Sequence, residues 1–124
     1  MPEGDTLYRV ARTLHRALSG QVVRRFDAAY APLLRIDEDA PICGRTVLRV
    51  EARGKWCLLW LSPRQPEGRA LDGTLILCTH LRMNGMWHIY RPGEPWQRSA
   101  RDMRVLIATD AFVAVGFRVP VAEL

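Results

Sequence analysis

The sequence predicts an α+β fold that is mostly β: an antiparallel β-sandwich of about seven or eight strands with an amino-terminal helix packed on it. Three observations lead to this prediction. Apolar residues near the start follow a helical repeat, the repeat shortens to two residues after Gly20, and segments rich in Pro, Gly and Asp separate the later apolar runs. The length of 124 residues suits one domain with its own core.

The helix is predicted over residues 5–19. Its apolar side chains recur every three or four residues and therefore share one face. Asp5 or Thr6 is expected to cap its start, and Gly20 to end it in a left-handed conformation. Arginines occupy the other faces, where they serve either solvation or phosphate contact. The apolar stripe consists of Leu7, Val10, Ala11, Leu14 and Leu18.

Strands are predicted from period-two patterns and β-branched or aromatic residues. Leu48, Val50 and Ala52 alternate with charged residues, as in a half-buried strand, and Leu75–Cys78 is apolar enough for a strand covered on both faces. Pro32, Asp37–Pro41, Ser62–Gly73 and Pro92–Pro95 are turn-rich. The predicted strands are Val22–Phe26, Thr46–Ala52, Trp56–Leu61, Thr74–His80, Met86–Tyr90, Arg104–Thr109 and Ala111–Phe117, the last almost at the chain end.

The composition is that of an ordinary globular domain and excludes disordered, collagen-like and coiled-coil chains. No apolar run approaches the ~20 residues that cross a bilayer, and the acidic start is not a signal peptide. Cys43, Cys57 and Cys78 lack metal-site spacing, so we expect buried free thiols in a reducing compartment, with no metal.

The charge balance favours an acidic partner, nucleic acid first. The chain has 18 basic and 13 acidic side chains, a net charge of +5. Seventeen of the basic residues are arginines and one is Lys55. Because arginine keeps its proton at physiological pH, Lys55 is the only side chain that can supply amine chemistry.

The amino terminus offers a second amine. Removal of Met1 is expected because the next residue is small, and it exposes the secondary amine of Pro2. An α-amino group titrates near pH 8, well below lysine, and a following helix amino terminus disfavours its protonated form. Glu3 stands next to it as a general acid or base. The alternative is a merely solvated start.

Two other segments suit DNA contact. Gly54 permits a bend in Arg53-Gly54-Lys55, where Lys55 either holds a phosphate or stays solvated at a strand edge. In the loop from His80 to Gly85, Met83 is a flexible apolar wedge between Arg82 and Asn84. Enzymes that extract a base insert such groups into the stack, and the segment is also a turn with Asn84-Gly85 at its tip.

In combination, these motifs resemble the Fpg/Nei family of DNA glycosylase/AP lyases, nearest to the Nei (endonuclease VIII) branch. Met-Pro-Glu-Gly before a helix, Arg-Gly-Lys, and His-Leu-Arg-Met-Asn-Gly follow in that order. Residues 1–124 would be the family's amino-terminal catalytic domain, without its helix-two-turn-helix and zinc-finger domains. We therefore expect no cofactor in this chain, and a structural zinc only in the absent part.

The resemblance implies a repair mechanism on damaged single- or double-stranded DNA. The Pro2 amine attacks C1′ of an oxidised nucleotide, displaces the base and forms a Schiff base, and elimination then breaks the strand. Glu3 manages protons at the sugar, and Lys55 binds a phosphate near the lesion. The expected catalytic residues are Pro2, Glu3 and Lys55, and the expected DNA-binding residues are Lys55, Arg82, Met83, Asn84, Arg53 and Arg118.

The sequence departs from the family in three places. Thr6 replaces a common second glutamate, the Arg and Phe with which the Fpg branch reads the opposite base have no clear match, and the chain is short. We therefore expect an oxidised pyrimidine as substrate, weak DNA binding, and little or no glycosylase activity from these 124 residues alone. We expect a bacterial, cytoplasmic, nucleoid-associated monomer that can self-associate through its exposed interdomain face.

Two other functions remain open. A non-catalytic nucleic-acid-binding module on the same scaffold is favoured by Thr6. A domain for protein contacts alone has only its tryptophans in support, and tryptophans more often fill cores. These are Trp56, Trp60, Trp87 and Trp96.

Overall fold

The computed structural model describes residues 4–63, 73–81, 85–119 and 121–123. Within these ranges the chain forms two helices, eight strands and one short 3-10 turn at Ala100–Asp102. The elements are α1 (Gly4–Leu18), β1 (Arg25–Ala28), α2 (Ala31–Asp39), β2 (Val47–Arg53), β3 (Trp56–Leu61), β4 (Leu75–His80), β5 (Met86–Tyr90), β6 (Met103–Ala108), β7 (Val113–Phe117) and β8 (Val121–Glu123).

The strands form two antiparallel sheets of four, ordered β1-β6-β7-β5 and β2-β3-β4-β8. Their inner faces share one apolar core with α1, which confirms the predicted α+β sandwich. No helix in the described ranges is long and apolar enough to span a membrane.

Helix α1 closes one side of the sandwich. Leu7, Ala11, Leu14 and Leu18 are buried, as their spacing predicts. Gly20 follows the helix with a φ of +81°, the left-handed conformation that glycine adopts without a Cβ penalty. The expected cap at Asp5 or Thr6 is wrong, because α1 begins at Gly4 and both residues lie inside its first turn.

The main secondary-structure error concerns residues 31–39, which form helix α2 and not a turn-rich segment. Pro32 is compatible with this helix because its missing N–H falls in the first turn, where no helical partner exists. Leu33 anchors the helix in the core with 1% exposure. Several polar residues after Leu33 obscured this short amphipathic pattern in the sequence.

Four strand predictions also need correction. Val22 forms only an isolated bridge to Thr46, next to β2. The first strand, β1, starts at Arg25, because the chain between these residues crosses from one sheet to the other. A register shift after Val47 turns Leu48 outward, with 45% exposure, so the expected alternation fails there. Residues 75–78 are covered on one face only, with Leu77 buried and Cys78 half-buried. Residues 111–117 do not form the last strand, since β8 follows β7.

The cysteines are all free, but only Cys57 is fully buried; Cys43 and Cys78 are half-buried. Burial raises the pKa of the Cys57 thiol to about 12, which keeps it protonated and unreactive at neutral pH. The expectation of three buried thiols is therefore correct for one of them. In the described part of the chain, no three His, Cys, Asp or Glu side chains are placed to hold a metal ion.

The outer face of the first sheet has its own small aromatic cluster. Trp96 packs on Phe117 with ring centroids 5.6 Å apart, and Tyr90 stacks beside it at 6.4 Å. The Tyr90 hydroxyl accepts from the Gln97 N–H at 3.0 Å and lies 3.1 Å from Nδ1 of His88. The segment after β5 is thereby fastened over the sheet, which covers this face.

The fully buried Arg45 ties together three chain segments. Its Nε donates to the carbonyl oxygen of Pro41 at 2.8 Å, and its Nη1 donates to those of Ser62 and Gly73, both at 3.0 Å. The side chain is 0% exposed. A guanidinium suits this position because its forked donors reach several carbonyls at once.

Replacing Arg45 with methionine should lower the free energy of unfolding by about 3 kcal/mol or more, because three hydrogen bonds from a fully buried guanidinium to Pro41, Ser62 and Gly73 would be lost. Urea denaturation measures this. The control Arg35→Met changes an exposed arginine on α2 and should alter stability by about 0.5 kcal/mol at most. Equal effects of the two substitutions would contradict the role of Arg45.

Stability should fall in acid through His88. Burial, with the nearby Arg98 guanidinium, lowers the pKa of His88 from 6.5, so the unfolded chain takes up this proton more readily. The contribution of His88 is therefore complete above pH 6.5 and is lost as pH falls through the lowered folded value. The stability difference between the wild type and His88→Asn should shrink between pH 8 and pH 5; a constant difference in urea titrations would refute this.

Candidate nucleic-acid interface

Five of the predicted site residues, Pro2, Glu3, Arg82, Met83 and Asn84, lie outside the described residues, and their roles stay predictions. The structure does describe the residues that flank them. Gly4 is the first residue of α1. On either side of the 82–84 segment, the Gly85 N–H donates to the Leu81 carbonyl oxygen at 2.8 Å.

Lys55 lies at the tip of a two-residue hairpin between β2 and β3. Arg53 pairs with Trp56 across the hairpin, so Gly54 and Lys55 form the turn. Gly54 has a φ of +61° at the first central position, as in the type II′ turns that match the twist of paired strands. The predicted bend is confirmed, and the exposed Lys55 projects from the end of the sheet.

Sheet register brings Leu81 to the same end of the sheet as Lys55. Trp56 pairs with His80, and their rings meet edge to face with centroids 5.2 Å apart. Since Lys55 precedes Trp56 and Leu81 follows His80, the hairpin turn and the start of the loop are neighbours. The sequence motifs suggested both segments, but the pairing between them follows from the register alone.

The amino-terminal end of α1 reaches this end too, because α1 runs antiparallel to β2. The Gly20 N–H donates to Val47, the Ser19 hydroxyl to Leu48, and the Val50 N–H to Nδ1 of His15 at 3.1 Å. From His15 to Gly4 the helix rises about 16 Å. From Val50 to Arg53, the last residue of β2, the strand advances about 10 Å in the same direction, and Lys55 lies in the turn beyond it. Gly4 and Lys55 therefore lie toward the same end of the sheet.

Arg118 lies at the same end of the molecule, close to Gly85. It follows Phe117, which pairs with Met86, the residue directly after Gly85. Its Nε lies 3.2 Å from a carboxylate oxygen of Asp102, and its N–H donates to the Asp102 carbonyl at 2.7 Å. Its φ of +50° is left-handed, an uncommon conformation for a residue with a Cβ, and such strain concentrates at functional positions.

Arg53 belongs to a charged network on the outer face of β2. Its Nη2 donates to Oε1 of Glu51 at 2.9 Å, and Nε1 of Trp60 donates to the same oxygen, also at 2.9 Å. The guanidinium of Arg49 stacks over the Trp60 ring at 4.1 Å from its centroid. Sequence reasoning did not identify Arg49 or Trp60, although Arg49, Glu51 and Arg53 alternate toward solvent there.

The geometry therefore gathers Gly4, Lys55, the ends of the 81–85 segment and Arg118 at one end of the molecule. Residues 1–118 match the family model of the formamidopyrimidine-DNA glycosylase N-terminal domain. The chain belongs to this family.

Named relatives agree with the resemblance to endonuclease VIII. The chain is 38% identical over 125 residues to the probable endonuclease 8 2 of Streptomyces coelicolor, covering 100% of this chain and 40% of the relative. It is 28% identical over 124 residues to the DNA-(apurinic or apyrimidinic site) lyase Nei2 of Mycolicibacterium smegmatis, covering 100% and 42%. The chain thus spans about two fifths of the length of these curated relatives.

Solved structures share the fold of this domain. A viral DNA glycosylase superposes with a TM-score of 0.70 at 13% identity, covering 98% of this chain and 38% of the other. Lactococcus lactis Fpg, in complex with DNA containing N7-benzyl-Fapy-dG, gives 0.65 at 17% identity, covering 90% and 38%.

Backbone strain at Arg118 predicts an unusual order of stability. Arg118→Gly and Arg118→Ala both lose the ion pair with Asp102, but only glycine adopts a φ of +50° without a Cβ penalty. The glycine variant should therefore be more stable than the alanine variant by about 1 kcal/mol. Thermal or urea unfolding decides this; an alanine variant of equal or greater stability would refute the strain.

Proposed function

We propose that this chain supplies the amino-terminal catalytic domain of a bifunctional DNA glycosylase/AP lyase that acts on an oxidised pyrimidine nucleotide. One observation carries the proposal: Gly4, Lys55, the ends of the 81–85 segment and Arg118 share one end of the fold. The names of the relatives, endonuclease 8 and DNA-AP lyase, support the reaction class.

The proposed nucleophile is the secondary amine of Pro2 after removal of Met1. The amine attacks C1′ of the damaged nucleotide, the C1′–base bond breaks, and the base leaves with its electron pair and a proton. The sugar ring opens to give an iminium ion, and loss of a C2′ proton expels the 3′ phosphate. Glu3 would exchange protons at the sugar.

The start of α1 at Gly4 supports this chemistry. The positive end of a helix dipole disfavours a protonated amine nearby, which leaves more of it in the nucleophilic form. The same dipole favours the negative phosphates of a bound strand. Met83 would fill the gap left by the extruded nucleotide, with Arg82 and Asn84 beside it.

The cationic side chains would hold the DNA backbone. Lys55, at the same end of the sheet as the start of α1, would bind a phosphate beside the lesion, and Arg53 and Arg118 would contact neighbouring phosphates. The remainder of the parent protein would add a helix-two-turn-helix domain and a finger, with a structural zinc in that part. We place this activity on the nucleoid in the bacterial cytoplasm, as a monomer.

Borohydride trapping tests the nucleophile with little ambiguity, because only Pro2 and Lys55 carry amines once Met1 is removed. On a duplex with one abasic site, borohydride should reduce the iminium and link protein to DNA. Lys55→Gln should weaken DNA binding, but mass spectrometry should still locate the cross-link at Pro2. The chain with Met1 retained should give no link through Pro2, whose nitrogen is then an amide; efficient linking through Lys55 would contradict the assignment.

The same assay tests how much the 124 residues accomplish alone. We expect little or no trapping on a duplex with an oxidised pyrimidine, since base removal would also need contacts from the rest of the protein. Efficient trapping on this duplex would contradict that expectation. If free Pro2 forms no link on abasic DNA while salt-dependent binding persists, the non-catalytic binding module, which Thr6 favours, is the better function.

A further inference from the structure

We propose that a second surface of this domain, the β2 track, binds unpaired nucleotides outside the lesion site. The track consists of Tyr8, Arg12, Arg49, Trp60, Arg53 and Trp56, and Arg53 is the residue at which it borders the proposed lesion site. It starts on α1, crosses the outer side of β2 and ends beside β3. It does not depend on the chemistry of Pro2, so it can be tested with undamaged DNA.

The first part of the track is a hollow of about 390 Å³ between α1 and β2. Tyr8 contributes to this hollow with 57% exposure, more than the exposed side chains of Leu34 and Leu48. Arg12 lies one helical turn further along, so both side chains share one face of α1. Ala11 and Val50 contribute apolar surface to the hollow. An aromatic ring beside a cation and an apolar floor suits a base with its phosphate.

The middle of the track is the stacked pair of Arg49 and Trp60. The guanidinium covers the indole at 4.1 Å, and the Arg49 side chain keeps 48% of its surface exposed. A guanidinium plane stacks with nucleobases while its charge attracts phosphates. The Glu51 carboxylate lies among these side chains and accepts from Trp60 and Arg53, which reduces its repulsion of a polyanion.

The last part of the track is a hollow of about 280 Å³ beside the hairpin. Arg53, Trp56, Leu58 and Cys78 line it, and all four lie on the outer face of the second sheet. Arg49 and Arg53 are four residues apart on β2, about 13 Å along an extended strand. The track therefore offers cationic and aromatic side chains, one after another, over a distance longer than one nucleotide.

Unpaired nucleotides fit this surface better than the alternatives. In duplex DNA the base faces are stacked on one another, so only phosphates and groove edges could reach Tyr8 and Trp56. A second copy of the chain would bring two sets of arginines together, and the chain already has a net charge of +5. Charge complementarity, the exposed ring of Tyr8 and the half-buried ring of Trp56 together select a single strand.

The test measures binding of a fluorescein-labelled oligothymidylate of about 12 nucleotides by anisotropy. Trp56→Leu should weaken binding about fivefold or more through loss of stacking, and Trp56→Phe should restore most of it. Arg12→Gln combined with Arg49→Gln should weaken binding and reduce the salt slope by about 1.4. The control, Arg35→Gln with Arg91→Gln, removes the same charge from exposed sites outside the track and should change affinity less than twofold.

Each alternative result is decisive. Wild-type affinity in Trp56→Leu and in the Arg12/Arg49 variant would overturn the proposal. An equal loss in the Arg35/Arg91 control would reduce the binding to general electrostatics and would also overturn it. A duplex of the same length should bind with no dependence on Trp56; equal dependence would refute the preference for unpaired bases. The anisotropy test uses undamaged DNA and no borohydride, so its result does not depend on the lyase proposal.

Discussion

The antiparallel contact between α1 and β2 is the constraint on which the arrangement of this domain depends. Gly20 and His15 bond to the edge of β2 at Val47 and Val50, which fixes the direction of the helix relative to the sheet. Had α1 run parallel to β2, Gly4 would lie at the far end from Lys55. Burial of the apolar stripe of α1 supplies the free energy that holds the helix on the sheets, and these polar contacts fix its orientation.

The outer face of the first sheet is covered by other residues, whereas the outer face of the second sheet is open. Trp96 and the segment around it cover the first sheet, and the stacking of Trp96, Tyr90 and Phe117 leaves that side closed. The outer side of the second sheet keeps Trp56 and Trp60 half-buried among arginines. Arg45 joins the chain segments at the end of this sheet opposite the Gly54-Lys55 turn, where β2 begins, β3 ends and β4 begins. One side of the sandwich thus serves stability and the other is available for recognition.

Much of the fold could be predicted from the sequence, because α1, β3 and β5 have strong local periodicity. Helix α2 could not, since only Leu33 is buried and polar residues dominate its later part. The outward position of Leu48 depends on a bulge, which hydrophobicity alone does not reveal. Lys55 could be singled out because it is the only lysine in the sequence and follows a glycine. The left-handed backbone at Arg118 and the stack of Arg49 on Trp60 arise from tertiary packing, and no local pattern encodes them.

The position of α1 on β2 also has a consequence for misassembly. A strand at the edge of a sheet ordinarily offers its free N–H and C=O groups to another chain. Here an incoming strand would first have to displace α1 and break the Val50–His15 bond. Fibril-like growth from this edge is therefore gated by local unfolding of the helix. Its onset should therefore depend on how often the helix detaches.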